Sequence, residues 1–406
     1  MRATFHLKTL TVAVAALSVA SVASAAGLDR SGQDITAFLQ DGTYAEAVYT
    51  YIDADVSGKD SSDNKIDDIA ESYDFFRYGV KADINETFSV GVLYDEPFGA
   101  AADYTGDIGD NNFIDANGEG TNVEVRTESI TGILGAKLGE NKSFQVYGGP
   151  VAQRVKADVK LRGTAYEAAN GYTTHISADQ DYGWLTGVAY SKPEIALKAA
   201  LTYRSEIEHK APAAEVYPFV DSGLIPAPVV SALGLSVERS STIEITTPES
   251  VNFDFQTGIN PTTLATAKVR WVPWSDFAIV PSLYNDVSKL STGDDEGLSL
   301  VSYDKDQWQV ELGLAKRLSP ALAVTGNVGW DSGAGNPVTS LGPIEGYYSA
   351  GLGAKYSVTE NWAVSAGGKY LWFGDAKGQI PTKKVVSNFE DNDGFVLGMK
   401  LSYQAQ

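Results

Sequence analysis

In the last third of the chain, apolar residues alternate with small or polar ones. Tyr348, Ala350, Leu352, Ala354 and Tyr356 share one side, with Ser349, Gly351, Gly353 and Lys355 on the other. Trp362, Val364, Ala366, Gly368, Tyr370 and Trp372 oppose Ser365, Gly367 and Lys369 in the same way. Phe395, Leu397, Met399, Leu401 and Tyr403 oppose Gly398, Lys400 and Ser402. Earlier stretches repeat the pattern: Trp308, Val310, Leu312 and Leu314 against Gln309, Glu311 and Gly313, and Ile195 to Tyr203 against Lys198, Thr202 and Arg204. A period of two is that of a β-strand with one face in an apolar medium and one in a polar medium. Aromatics gather at the ends of these runs, where the interfacial girdles of a membrane barrel lie.

The connections give a strand count. Six are short, at Asn85-Glu86, Gly139–Lys142, Ser191–Glu194, Gly258–Pro261, Leu318–Ala321 and Ser357–Asn361, and they carry Asn, Gly and Pro turn chemistry. Seven are long and mostly acidic or polar, near residues 54–71, 98–120, 161–181, 209–241, 281–305, 332–345 and 374–393. Long and short alternate, so 13 connections predict an all-β, 14-stranded antiparallel transmembrane β-barrel with both termini on one side. Phe277 to Val280 reads as a continuation of the Leu264–Trp274 strand past Pro273.

The N-terminus reads as a secretory signal peptide over residues 1–25. Arg2 and Lys8 precede an apolar run, Leu10 to Val22, and Ala23-Ser24-Ala25 precedes the cleavage point. No later stretch can span a bilayer as a helix, which takes roughly 20 apolar residues: the uncharged run Ser222 to Val237 is broken by Pro226 and Pro228. Residues 43–406 make the barrel and its loops. Residues 26–42 are left over, with Leu28, Ile35, Phe38 and Leu39 beside Asp29, Arg30, Gln33 and Asp34. That segment is too polar for a lipid-facing strand. It is either a disordered tail or a plug (hatch) in the lumen, which in a barrel of this width side chains alone would not fill.

Composition removes most other functions. The 406 residues carry 31 Lys+Arg against 52 Asp+Glu, a net charge of −21, so a basic nucleic-acid groove is excluded. There are no cysteines and only three histidines, of which His6 leaves with the signal. His175 and His209 lie far apart in sequence, no G-x-S-x-G elbow or phosphate-binding glycine motif occurs, and no catalytic residue, cofactor or metal site is expected. The acidic run Asp53, Asp55, Asp60, Asp63, Asp67 and Asp68 lacks EF-hand spacing and reads as a solvated loop.

Two features point to apolar traffic. The loop around Ser222–Val237 offers Leu224, Ile225, Val229 and Leu233 as a capture surface. The third strand runs into Pro97-Phe98-Gly99 followed by Ala100, where a missing donor and a glycine favour a kink and a lateral opening. Leu28, Ile35, Phe38 and Phe98 join the loop residues as expected substrate contacts.

The start Ala26-Gly27-Leu28, the segment Tyr94–Tyr104 with its Pro97-Phe98-Gly99, the run Ala200-Leu201-Thr202-Tyr203-Arg204-Ser205-Glu206, and Thr247-Pro248-Glu249-Ser250-Val251 resemble FadL-type long-chain fatty acid transporters. The resemblance covers nearly the whole mature chain. It implies a Gram-negative outer membrane barrel with a luminal hatch, a kinked third strand, and passive uptake of fatty acids or other hydrophobic compounds first held between two outer loops. The partners expected are hydrophobic small molecules, outer membrane lipids and lipopolysaccharide, with the chain a monomer. A general diffusion porin and a structural surface barrel are the competing functions. The family's Asn-Pro-Ala hatch motif has no counterpart before residue 43, and Tyr403 is followed by Gln404-Ala405-Gln406 where such proteins usually end in an aromatic residue.

Overall fold

The computed structural model describes residues 27–405; the expected signal peptide and its cleavage point lie outside the described residues. Strands β1 (Thr43–Asp55), β2 (Tyr73–Asp83) and β3 (Phe88–Asp95 and Gly99–Asp103) lead into three long strands. These are β4 (Asn122–Leu138), β5 (Phe144–Lys160) and β6 (Thr173–Lys192). Then come β7 (Leu197–Arg204 and Ile207–Val216) and β8 (Glu238–Thr247 and Ser250–Asn260). The last six are β9 (Thr263–Val272), β10 (Gln307–Arg317), β11 (Leu322–Asp331), β12 (Tyr347–Ser357), β13 (Trp362–Phe373) and β14 (Asp393–Ala405). Seventeen ladder segments thus make 14 strands, because β3, β7 and β8 are each broken in two. The sheet closes where β1 meets β14, from Thr43↔Ala405 to Asp55↔Asp393.

The alternation read from sequence sets the two faces. Ser349, Gly351 and Lys355 point inward and are buried, while Tyr348, Leu352 and Tyr356 point outward. Leu352 is 75% exposed to solvent, and Leu134 and Met399 are also exposed. A belt of such residues around a whole barrel is stable only against lipid. Aromatics border it. Near the short turns stand the pairs Phe144–Tyr190 and Trp362–Tyr403, with rings 4.9 and 5.0 Å apart. Near the long loops stand Trp184–Tyr203 and Trp271–Trp308, at 5.2 and 6.4 Å.

The short turns close on their own side chains. Asn85 Oδ1 accepts from the N–H groups of Thr87 and Phe88, and Asn260 Oδ1 accepts from Thr262 N–H. The long loops differ from the solvated loops expected. They fold over the barrel mouth onto one apolar core that includes Tyr104, Phe113, Tyr172, Tyr217, Tyr284 and Phe389. A short helix, α1 (Ala227–Ala232), and a longer one, α2 (Ser282–Thr292), belong to this cap. Glu215, at the end of β7, accepts from Leu283 and Tyr284 N–H at the start of α2. Asp60, expected in solvent, is buried and accepts from the N–H groups of Ser62, Asn64 and Asn112.

Phe277–Val280 does not continue β9. The strand ends at Val272, because Pro273 supplies no N–H, and Trp274–Asp276 forms a 3-10 turn. Ala278–Ile279 then pairs with Val301–Ser302 within the cap. β6 and β7 also reach further into the loops than 161–181 and 209–241 implied, since their polar outer ends stand in water and not in lipid and so lose the apolar half of the alternation.

Leu352 stands midway between the two girdles. Leu352→Arg should destabilise the barrel by about 2–4 kcal/mol, whereas Val358→Arg beside the short turn should cost about 0–1 kcal/mol. Urea-induced unfolding in lipid vesicles, followed by tryptophan fluorescence, measures both. Equal costs at the two positions would remove the depth assignment.

Candidate functional site

Residues 27–42 lie against inward-facing side chains of the barrel. Arg270 grips Asp29 with two hydrogen bonds, from Nε and Nη2, at 2.7 and 2.9 Å. Asn252 donates to Gly32 O at 2.8 Å, Ser250 to Gln33 Oε1 at 2.6 Å, and Lys198 to Leu39 O at 2.8 Å. Asp34 accepts from Lys268 at 3.0 Å, and Arg77 stands 3.8 Å from it. Burial alone would raise the Asp34 carboxyl, but Lys268 and Arg77 hold it well below the ordinary carboxylate range.

The apolar residues of the segment are placed by glycines. Phe38 is fully buried, and a Cβ on Gly91 or Gly135 would stand 2.6 or 2.9 Å from its ring. Only glycine permits that approach of a ring to a strand backbone. Phe38 and Ile35 thus sit in a luminal cluster with Leu93, Ile133, Tyr147, Val151 and Leu185.

At its start the segment meets the break in β3. Asp95 pairs with Ser129 and Gly99 with Arg126, so three residues, Glu96, Pro97 and Phe98, oppose two. Phe98 O still accepts from Thr127 N–H of β4, at 3.1 Å, but other backbone groups at the break are bonded away from the ladder. Arg30 N–H donates to Pro97 O at 2.8 Å, and Gly99 N–H to Leu28 O at 2.7 Å. Thr127 Oγ1 accepts from Phe98 N–H and donates to Phe98 O. On the other side β2 pairs with β3 only from Tyr78↔Tyr94 to Asp83↔Ser89. Among the described residues, no ladder pair joins Tyr73–Arg77 to 96–100; the wall closes again above, at the Ala70↔Ala102 bridge.

Arg30 occupies that window. Its guanidinium lies 4.0 Å over the Tyr73 ring and packs so closely on Gly99 that a side chain there would collide with it. The guanidinium is buried, and its Nε has no hydrogen-bond partner. Burial lowers its pKa from the ordinary value, with Tyr73 and Glu96 opposing.

Beside the break lies an apolar pocket formed by Leu28, Phe98, Val155, Ile245, Trp274 and Phe277, among others. Trp274 is its pillar: its ring stands 5.5 Å from Phe98, 5.4 Å from Phe277 and 5.5 Å from Tyr303, and Nε1 donates to Gln307. The cavity measures only about 10 Å³. That is no more than the room one water needs, so an apolar ligand is admitted only if Phe98 or Trp274 moves. Across the luminal segment are two cavities of about 50 Å³ each, which share Asp254 and Lys268 and mix charged with apolar lining residues.

The structure brings Leu28 and Phe98 together in the pocket and leaves Ile35 and Phe38 in the separate luminal cluster. Pro97, Phe98, Gly99 and Ala100 line the break in β3. Leu224, Ile225, Val229 and Leu233 lie in the cap: Ile225 is buried, Val229 half-buried, and Leu224 and Leu233 exposed. Sequence reasoning missed Arg30, Trp274 and Arg270. The signal for the last was present. Lys268 and Arg270 point inward on β9, and buried cations require counter-ions, which Asp29 and Asp34 of the leftover segment provide.

A family model described as outer membrane protein transport protein (OMPP1/FadL/TodX) matches residues 17–404. Among curated proteins none matches. Solved structures share the fold. A Pseudomonas aeruginosa FadL homologue superposes with a TM-score of 0.69 at 15% identity, over 89% of this chain and 90% of its own. The P. putida toluene transporter TodX gives 0.60 at 12%, over 96% and 94%. The Ralstonia pickettii toluene transporter TbuX gives 0.57 at 10%, over 94% and 95%.

Arg270→Ala leaves Asp29 buried without its main partner, a change that costs about 3–5 kcal/mol in buried pairs. Undocking of residues 28–36 should relieve it. Their amide hydrogen exchange should accelerate at least about tenfold, the equivalent of about 1.4 kcal/mol. Unchanged exchange would show that the ion pair does not hold the segment.

Proposed function

The chain belongs to the FadL/TodX family of outer membrane transport proteins, and from that premise we propose a passive channel that takes fatty acids or other hydrophobic compounds sideways into the Gram-negative outer membrane. The observation that carries the reading is the break in β3, where Glu96-Pro97-Phe98 leave the ladder beside an apolar pocket. An apolar molecule gains nothing by entering the aqueous periplasm, since each CH₂ exposed to water costs about 0.8 kcal/mol. Release through the wall avoids that cost. The pocket residue Phe98 is itself part of the break, so a movement that admits a ligand also moves the window.

Each part has a role. Leu224 and Leu233 in the cap collect apolar solutes, and Leu28, Phe98 and Trp274 hold them. Arg30 bolts the window between Tyr73 and Gly99 until the segment shifts. Residues 26–42 act as the hatch that keeps ions out of the lumen, which sets this reading apart from a general porin. Phe38 and Ile35 anchor the hatch and do not contact substrate.

Two measurements test this. Pro97→Thr with Gly99→Val restores a donor and drives Arg30 from the window. Uptake of a radiolabelled fatty acid or toluene should be lost while ligand binding at the outer face is kept; normal uptake would remove the lateral route. Leu224→Ser with Leu233→Ser takes two exposed leucines from the cap. Each is worth up to roughly 1.5–3 kcal/mol if buried by ligand, discounted by the cost of association. Outer-face affinity should fall by at least about tenfold, and an unchanged affinity would place capture elsewhere.

A further inference from the structure

The wall has a second break, between β6 and β7. The lower half of β7 pairs with β6 from Leu197↔Lys192 to Arg204↔Leu185. The upper half pairs with it only from Ala213↔Ile176 to Val216↔Thr173. Ser205 N–H still reaches Trp184 O, at 2.9 Å. Above that bond, among the described residues, no ladder pair joins 177–183 to 206–212.

The cause lies in two aligned interruptions. β7 breaks at Ser205-Glu206 and β8 at Pro248-Glu249, between the pairs Arg204↔Ser250 and Ile207↔Thr247. The upper hairpin remains paired with itself, from Ile207↔Thr247 to Val216↔Glu238. It is therefore one paired unit, and it sits inward of the wall. His209 on β7 meets Gln153 on β5, Nε2 to Oε1 at 3.1 Å, past the intervening β6. Thr247 on β8 also donates to Gln153 Oε1, at 2.6 Å.

Side chains close the gap where backbone does not. His209 is fully buried, and its Nδ1 faces Asp179 Oδ2 at 3.4 Å without a hydrogen bond. Lower down, Ile207 covers Gly183 so closely that a Cβ there would stand 2.7 Å from it. Behind this closure, Val155, Ile245 and Thr247 line the apolar pocket.

The two breaks start at one height and differ in reach. Pro97 is nine residues from the short-turn end of β3 at Phe88; the β6 edge of the second break runs from Gly183, also nine residues from its short-turn end at Lys192, up past Asp179, thirteen residues from it. At about 3.3 Å per residue and a tilt of about 40°, nine and thirteen residues stand about 23 and 33 Å above that end. The apolar belt is about 25 Å tall. Both breaks thus begin near the top of the hydrocarbon, and the upper part of the β6–β7 break, at Asp179 and His209, faces the lipopolysaccharide sugars above it.

We infer that the gap between residues 177–183 and 206–212 is a side port through which uncharged apolar molecules lodged among the lipopolysaccharide sugars reach the pocket, with the His209–Asp179 contact as its clasp. This rests on the lateral reading above. The port gives a route across the polar layer, and the β3 break gives release into the bilayer. The rim sets the ligand class. Asp179, Asp181, Glu206 and Glu208 surround the gap, and Lys210 is held by Glu208 at 2.7 Å. Arg154 and Lys156 point outward on β5, one strand away. A hydrocarbon or a phenol passes such a rim; a carboxylate is repelled by it.

The chain has no cysteine, so a single thiol is unique. Ala178→Cys, in the same gap and outside the clasp, is modified with benzyl methanethiosulfonate, the adduct is confirmed by mass, and uptake of radiolabelled toluene into cells is compared before and after reduction with dithiothreitol. Gln180→Cys, exposed on the same stretch, serves if Ala178→Cys does not assemble. Modification should remove most toluene uptake, and reduction should restore it. Full uptake by the modified protein would overturn the port. If the Pro97→Thr, Gly99→Val variant still loses uptake in that case, release through β3 stands alone; if that variant also transports normally, the lateral reading itself fails.

Discussion

A barrel wall in hydrocarbon must pair every backbone N–H and C=O, because no water is there to replace a lost partner. The rest of this structure depends on that constraint. Strands that obey it carry the alternating pattern and nothing more. Where β3 departs from it, the freed groups of Pro97, Phe98 and Gly99 are taken up by Arg30, Leu28 and Thr127. The break is thus kept closed by the segment that lies in the lumen. On the proposed lateral route, a shift of that segment and an opening of the wall are one event, not two that need a relay.

The same segment is held by buried charge. Asp29 with Arg270, and Asp34 with Lys268 and Arg77, are ion pairs that add little net stability, since desolvation offsets their attraction. Their consequence is positional. Separating either pair inside the lumen would strand a charge, so the segment rests in one register until something offsets that cost. Phe38 against Gly91 and Gly135 fixes the same register sterically.

Much of the architecture was legible in the sequence. The inward set Ser349, Gly351 and Lys355 and the outward set Tyr348, Leu352 and Tyr356 follow from a period of two, and the alternation of short and long connections gives the fourteen strands. The upper parts of β6 to β8 were not legible as strands. They stand above the membrane with water on one side and the cap on the other, so residues 173–184 and 207–216 lose the apolar half of the pattern. Pro97-Phe98-Gly99 is readable as a break because proline lacks a donor. Arg30 is not readable as the residue that packs into it, since that placement depends on how residues 27–42 cross the lumen. The β6–β7 gap left the faintest trace: two interruptions of two residues each, whose alignment exists only once β7 and β8 are paired.

The central claim is that the molecule's cargo passes through the wall and not down the lumen. Photo-crosslinking during transport tests it most directly. A diazirine-bearing fatty acid or aryl compound is activated in working outer membranes, and the adducts are mapped by peptide mass spectrometry. The account predicts adducts on Leu28, Phe98 and Trp274 and on both edges of the window, Tyr73–Arg77 and Pro97–Ala100. Adducts instead on Thr36, Gln145, Lys198, Gln256 and Thr266, around the cavity deeper in the lumen, would show passage to the periplasm and contradict it.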